Sequence, residues 1–103
     1  MVRLVLCCVV LLVACRSAYA VSLTESGCRS YAAWAADTLW AKHVGADKDK
    51  VKSYYAGREE PHFKILLRRF DDLWQLPIEL RKDVYQTLYM ECLQRRGNYG
   101  DET

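Results

Sequence analysis

The sequence predicts an all-α fold, a small bundle of about four helices closed by one disulfide, Cys28–Cys92, behind a cleaved signal peptide. Three observations lead there. Apolar residues after position 20 recur at helical spacing almost throughout, and no stretch sustains the alternation of a half-buried strand. The N-terminal segment carries the marks of a secretion signal, so the cysteines that follow it belong to an oxidising compartment. The chain left after that segment has about eighty residues, small enough to need a crosslink beside its core.

The signal is residues 1–20. Arg3 supplies the positive start, Leu4 to Ala14 an unbroken apolar run, and Ala18-Tyr19-Ala20 the small residues that signal peptidase requires at the last and third-last positions. The run is far shorter than the roughly twenty apolar residues a membrane-spanning helix needs. Leu12-Val13-Ala14-Cys15 also fits a lipobox, in which Cys15 would be lipidated and become the first mature residue. Two routes therefore stand open: a soluble periplasmic or secreted protein beginning at Val21, or a lipoprotein held to the membrane through Cys15.

Removing residues 1–20 changes the charge and the cysteine count together. The full chain carries a formal net charge of +2, but Arg3 and Arg16 leave with the signal, and the remaining basic and acidic residues balance at thirteen each. Arg68-Arg69 is followed at once by Asp71-Asp72, so there is no clustered basic surplus to hold a nucleic-acid backbone. With cleavage after Ala20, Cys28 and Cys92 are the two cysteines that remain. An exported pair oxidises, and without a Cys-x-x-Cys spacing its role is structural rather than redox.

The elements follow in order across a helical domain of residues 21–97. Ser22-Leu23-Thr24-Glu25 reads as a capping box, opening a first helix that runs to about His43, with Gly45 as its left-handed C-cap. Cys28, Ala32, Ala35 and Leu39 form its apolar stripe, and the alanines let a second helix approach closely. Trp34 and Trp40 lie off that stripe. Asp47 caps a short second helix with Val51, Tyr54 and Tyr55 on one face, and Gly57 ends it. Pro61 suits the first turn of a third helix. There Phe63, Leu66, Leu67, Phe70, Leu73 and Trp74 make the clearest amphipathic face of the chain. Pro77 interrupts, and a last helix sets Leu80, Val84, Leu88 and Cys92 in line before Arg95-Arg96 and Gly97 close it. Residues 98–103 read as a flexible tail. Cys28 opens the first helix and Cys92 closes the last, as two antiparallel neighbours allow.

Catalytic chemistry finds no support. His43 and His62 lack a second ligand at metal spacing on the same face, which leaves no basis for a metal or other cofactor. His43 reads as a helix-end residue and His62 as a first-turn surface residue. Adjacent residues on a helix diverge by about 100°, so Asp71 and Asp72 cannot address one substrate as an acid–base pair, and both Asp71-Asp72 and Glu59-Glu60 read as solvated helix face or helix entry. No Gly-x-Ser-x-Gly elbow or phosphate-cradling loop is present.

What stands out is the aromatic content. A domain this small cannot bury every ring, and Trp, Tyr and Arg are the residues that anchor protein interfaces. Trp34, Trp40, Arg58 and Tyr99 are the candidates for a partner-binding surface; the competing expectation for the tryptophans is packing beneath the 45–61 segment.

The arrangement of Cys28 at the start of an Ala32/Ala35-rich first helix, Gly45 at its end, and Val84-Tyr85 shortly before Cys92 resembles small uncharacterised periplasmic proteins of proteobacteria and their phages. Trp40-Ala41-Lys42-His43 departs from the usual pattern of that group. The resemblance implies an all-α, disulfide-closed fold and no activity. A weaker likeness is to the small helical, disulfide-bonded periplasmic immunity proteins that protect cells from secreted peptidoglycan-cleaving effectors.

Together these readings predict a non-enzymatic exported binding protein of the cell envelope, an inhibitor or immunity-type module with a protein partner. A self-associating structural or chaperone-like envelope component is the alternative, and a small hydrolase assembled across helices is a third.

Overall fold

A computed structural model of the chain describes residues 21–100; the signal segment with Cys15, and the last three residues of the predicted tail, lie outside the described residues. Among the described residues there are five α-helices, one 3-10 turn and one short antiparallel ladder. In order they are β1 (Val21–Ser22), α1 (Glu25–His43), α2 (Lys48–Ala56), α3 (Pro61–Arg68), α4 (Phe70–Trp74), the turn Ile78–Leu80, α5 (Arg81–Gln94) and β2 (Asn98–Gly100).

The first helix begins later than its capping box suggests. Thr24, not Ser22, is the N-cap, and its hydroxyl accepts the Gly27 N–H at 3.0 Å. Ser22 lies in β1, and the Leu23 N–H donates to the Gly97 carbonyl at 2.7 Å, which holds this segment extended. Tertiary pairing overrides the local cap. At the other end the prediction holds. Gly45 has φ +86°, Gly45 N–H donates to Lys42 O and Ala46 N–H to Ala41 O, the two bonds of a Schellman ending. Asp47 caps α2 as expected, its Oδ1 accepting from the Asp49 and Lys50 N–H groups.

The amphipathic third helix is two helices, which raises the count from four to five. Arg69 is the joint, at φ −108°, ψ 7°. Its Nη1 donates to the Tyr31 hydroxyl at 2.9 Å and to Glu91 Oε1 at 2.8 Å, and its guanidinium lies over the Tyr31 and Tyr99 rings. A cation drawn inward needs these partners to offset its desolvation, and meeting them bends the chain. Both pieces keep the predicted apolar face, with Phe63, Leu66, Phe70 and Leu73 buried.

α1 is the central element and packs most extensively on α5. Cys28, Ala32, Ala35 and Leu39 are all buried, as the stripe requires, and Tyr31 joins them. Cys28 and Cys92 are disulfide-bonded with Cα atoms 5.6 Å apart. Each large side chain buried here, such as Phe63, Leu66 or Phe70, contributes about 1.5–3 kcal/mol of transfer free energy.

Two predictions about the C-terminus are corrected. Residues 98–100 are not a loose tail: β2 pairs with β1, Val21 opposite Gly100 and Ser22 opposite Asn98. Tyr99 is not a surface residue: it is 2% exposed, with its ring edge-on to Tyr31 at 5.6 Å. The cause is the end of α5. Arg96 takes the left-handed conformation at φ +55° and Gly97 follows at φ +74°, and this pair turns the chain back across Leu23. A Cβ on Gly97 would stand 1.8 Å from the Leu23 carbonyl oxygen. Among the described residues, no helix is long and apolar enough to cross a membrane.

Candidate functional site

Four residues were expected at a partner-binding surface, and the fold places them in three different settings. Trp34 lies beneath the 45–61 segment, packed against Tyr54, Tyr55 and Phe63 with ring centroids 5.9, 5.8 and 5.1 Å away. Trp40 is 46% exposed. Arg58 is exposed beyond the end of α2. Tyr99 belongs to the core at the opposite end of α1 and takes no part.

Trp34 and Trp40 line an open groove of about 710 Å³ between the C-terminal half of α1, the first turns of α2 and the start of α5. Trp34, Asp37 and Ala41 are three and four residues apart on α1 and so share one face. Across the groove stand Val51 and Tyr54 of α2, and Arg81 closes one side. Tyr54 is 50% exposed. The sequence placed Tyr54 and Tyr55 together on an apolar face, but the structure buries Tyr55 and turns Tyr54 outward. Arg81, not singled out in the sequence, spans the groove wall. Its guanidinium lies 5.2 Å from the Trp40 ring centroid and its Nη2 donates to Asp37 Oδ1 at 3.2 Å. No helix periodicity carries that signal, because the pair joins residues 37 and 81 across two helices.

A polar contact beneath the groove joins α1 to α2. The Thr38 hydroxyl donates to the Trp34 carbonyl at 2.9 Å and shares a 2.7 Å hydrogen bond with the buried Tyr55 hydroxyl, whose pKa is pushed up by burial. Satisfying these enclosed groups locks α2 onto α1. Outside the groove lining, beyond the end of α2, Arg58 grips Glu60 through Nε at 3.2 Å and Nη2 at 2.7 Å and lies over the Tyr54 and Phe63 rings. A hydrogen bond from its own backbone N–H and the Arg58 fork hold the Glu60 carboxyl below the usual carboxylate range.

His62 is a correction as well. Expected on the surface, it is buried, with its ring 4.4 Å from that of Phe63 and its Nε2 enclosed without a hydrogen-bond partner. It sits in the first turn of α3, a position predicted to face solvent, but that turn packs inward. Burial pushes its pKa below the ordinary 6.5; nearby Arg58 acts in the same direction and Glu60 against it. The unfolded chain therefore takes up the proton first, and stability present above the ordinary histidine pKa falls as pH drops through it. The melting temperature should decline between about pH 7 and pH 5, and His62→Phe should flatten that decline. An equal slope in the variant would assign the loss to other groups.

Among the described residues, no group of three or more His, Cys, Asp or Glu is arranged to hold a metal ion. The groove's carboxylates have other engagements: Asp37 pairs with Arg81 and Asp47 caps α2. Away from it, Asp71 is held below the usual range by Lys48 and Lys52. What the groove offers is a preformed aromatic surface with charged rims. No family model, curated protein or solved structure matches the chain.

Proposed function

We propose that the protein is a non-enzymatic, exported binding protein of the cell envelope, an inhibitor or immunity-type module that recognises another protein through the α1–α2 groove. One observation carries the reading: Trp40 and Tyr54 stand half-exposed on either side of a groove floored by Trp34 and edged by Arg81. Trp, Tyr and Arg supply most hot-spot energy in protein interfaces, and rings already held by their neighbours lose little entropy on binding. The disulfide favours an oxidising compartment, in keeping with the signal-like N-terminus. Release after Ala20 and anchoring through a lipidated Cys15 are the two routes to that compartment, and the intact mass of the purified protein separates them.

The test is affinity capture from envelope extract with wild-type and Trp40→Ala baits, quantified by mass spectrometry. Trp40 is exposed, so its truncation leaves the core intact. A partner enriched by the wild type should fall by about tenfold or more with the variant, as expected for loss of a hot-spot ring. Equal recovery by both baits would remove the groove from recognition. Recovery of the bait alone, as an oligomer, would favour the self-associating envelope component.

A further inference from the structure

The entry to α3 encloses a titratable ring where an added proton finds no acceptor. His62 is 9% exposed, and its Nε2 is shut in without a hydrogen-bond partner. An imidazolium needs acceptors for two N–H groups. The ring also occupies the first turn of α3, where the positive end of the helix opposes a further cation. Two charges act on it, both from its own approach segment: Arg58 opposes protonation and Glu60 favours it. Glu60, however, is already gripped by the Arg58 fork. Among the described residues, the elements packed against α3 add no further charge at the ring. β1 carries no charged side chain, Glu25 of α1 pairs with Arg29, and Asp71 of α4 pairs with Lys48 and Lys52 of α2. Tyr55 of α2 stays neutral, since burial pushes its pKa up.

The hydrogen bonds of this segment are local. Arg58 N–H donates to Tyr55 O at 3.2 Å and Phe63 N–H to Glu60 O at 3.1 Å, while Pro61 has no N–H to offer. Glu60 stands at the N-cap of α3 without a side-chain capping bond. α1 and α5, by contrast, are joined covalently through Cys28 and Cys92. A segment held by few long-range ties can open while the rest of a domain stays folded.

We propose that the entry to α3 is an acid-operated latch: protonation of His62 expels its ring, frees residues 57–62 and withdraws Arg58 from Tyr54 on the groove wall, while the disulfide-bonded α1–α5 pair stays closed. Burial holds the enclosed imidazole below the ordinary 6.5, and the expelled ring regains its ordinary value in water. The closed form is therefore favoured at neutral pH and loses ground as pH falls below about 6.5, by at most about tenfold per pH unit. The latch belongs to the fold and operates whatever the groove takes up. A uniform loss of stability would lower the melting temperature in the same way, so the test must be local.

Amide hydrogen exchange of the purified protein, converted to protection factors, is followed by NMR between about pH 7 and pH 5 together with the His62 ring signals. The Arg58 and Phe63 amides should lose protection severalfold as His62 titrates, and the Tyr54 ring signals should shift in step. Amides of α1 and α5 near the disulfide should keep theirs. In His62→Phe and His62→Leu, neutral at every pH, protection at Arg58 and Phe63 should not change. Loss spread evenly over all helices, the same loss in either neutral variant, or constant protection at Arg58 and Phe63 while His62 takes up its proton would overturn the latch. Should neither variant fold, the contrast between the two sets of amides in the wild type decides alone.

Discussion

Replacing Cys28 and Cys92 together by alanine is expected to remove about 4 kcal/mol of stability. The bond closes a loop across a sequence separation of 64 residues, and the loss is chiefly the chain entropy regained by the unfolded state. Both cysteines are buried, so alanine avoids enclosing an unsatisfied hydroxyl while opening a small cavity at each site. Domains of about eighty residues sit near the lower end of the usual 5–15 kcal/mol range. The variant should therefore be substantially unfolded at 37 °C, and its urea midpoint should fall by more than half. A loss below about 1 kcal/mol would mean that the packing of α1 on α5 suffices without the crosslink.

Gly97→Ala is expected to be nearly as damaging, for an unrelated reason. Its φ of +74° suits glycine, and an added methyl would meet the backbone of Leu23 rather than a side chain able to swing aside. Neither side of the clash can yield cheaply. Gly97 N–H donates to Cys92 O, and its carbonyl receives Leu23 N–H. The left-handed conformation alone costs an alanine roughly 1–2 kcal/mol, and separating the two backbones breaks the Leu23 bond and the ladder beyond it, for about 3 kcal/mol or more in all. Gly57→Ala is the control: its nearest contact would be 3.6 Å and its φ is −84°, so the change should stay within about 0.5 kcal/mol. Thermal unfolding of both variants decides the matter; equal effects would show that Gly97 is only a helix terminator. Because Gly97 and Cys92 secure the same end of α5, the alanine and disulfide variants should combine non-additively.

The parts of the fold legible in the sequence were those set by local spacing. The α1 stripe, the Gly45 ending and the Asp47 cap depend on residues within a turn of one another, and so does the buried face running from Phe63 to Leu73. The pairing of Cys28 with Cys92 could be inferred because removing residues 1–20 left two cysteines on facing stripes. The misses share a different origin. The late start of α1, the joint at Arg69, the ladder and the burial of Tyr99 are contacts between segments far apart in sequence, and no periodicity encodes them. Tyr99 in particular follows Gly97, which reads as the end of the last helix; its burial follows from the reversal at Arg96 and Gly97. In the groove, Trp40 is visible as a surplus anchor off the apolar stripe, whereas Arg58, a candidate of the same kind, stands outside the lining. Arg81 and Tyr54 are not visible in this way, since Arg81 acquires its place only when α5 packs beside α1, and Tyr54 shares its apparent face with the buried Tyr55.

The ladder and the disulfide have a mechanical consequence. Val21 pairs with Gly100 and Cys28 is bonded to Cys92, so the two ends of the described chain leave the domain side by side. Tension applied between them would strip the few ladder hydrogen bonds and then stop at the sulfur bridge. The helices between the cysteines would carry no load. Trp40 lies about 18 Å along α1 from that bridge, at 1.5 Å per residue. Tension applied instead between the Trp40 end of α1 and the paired termini would run along the length of α1 rather than unzip the ladder.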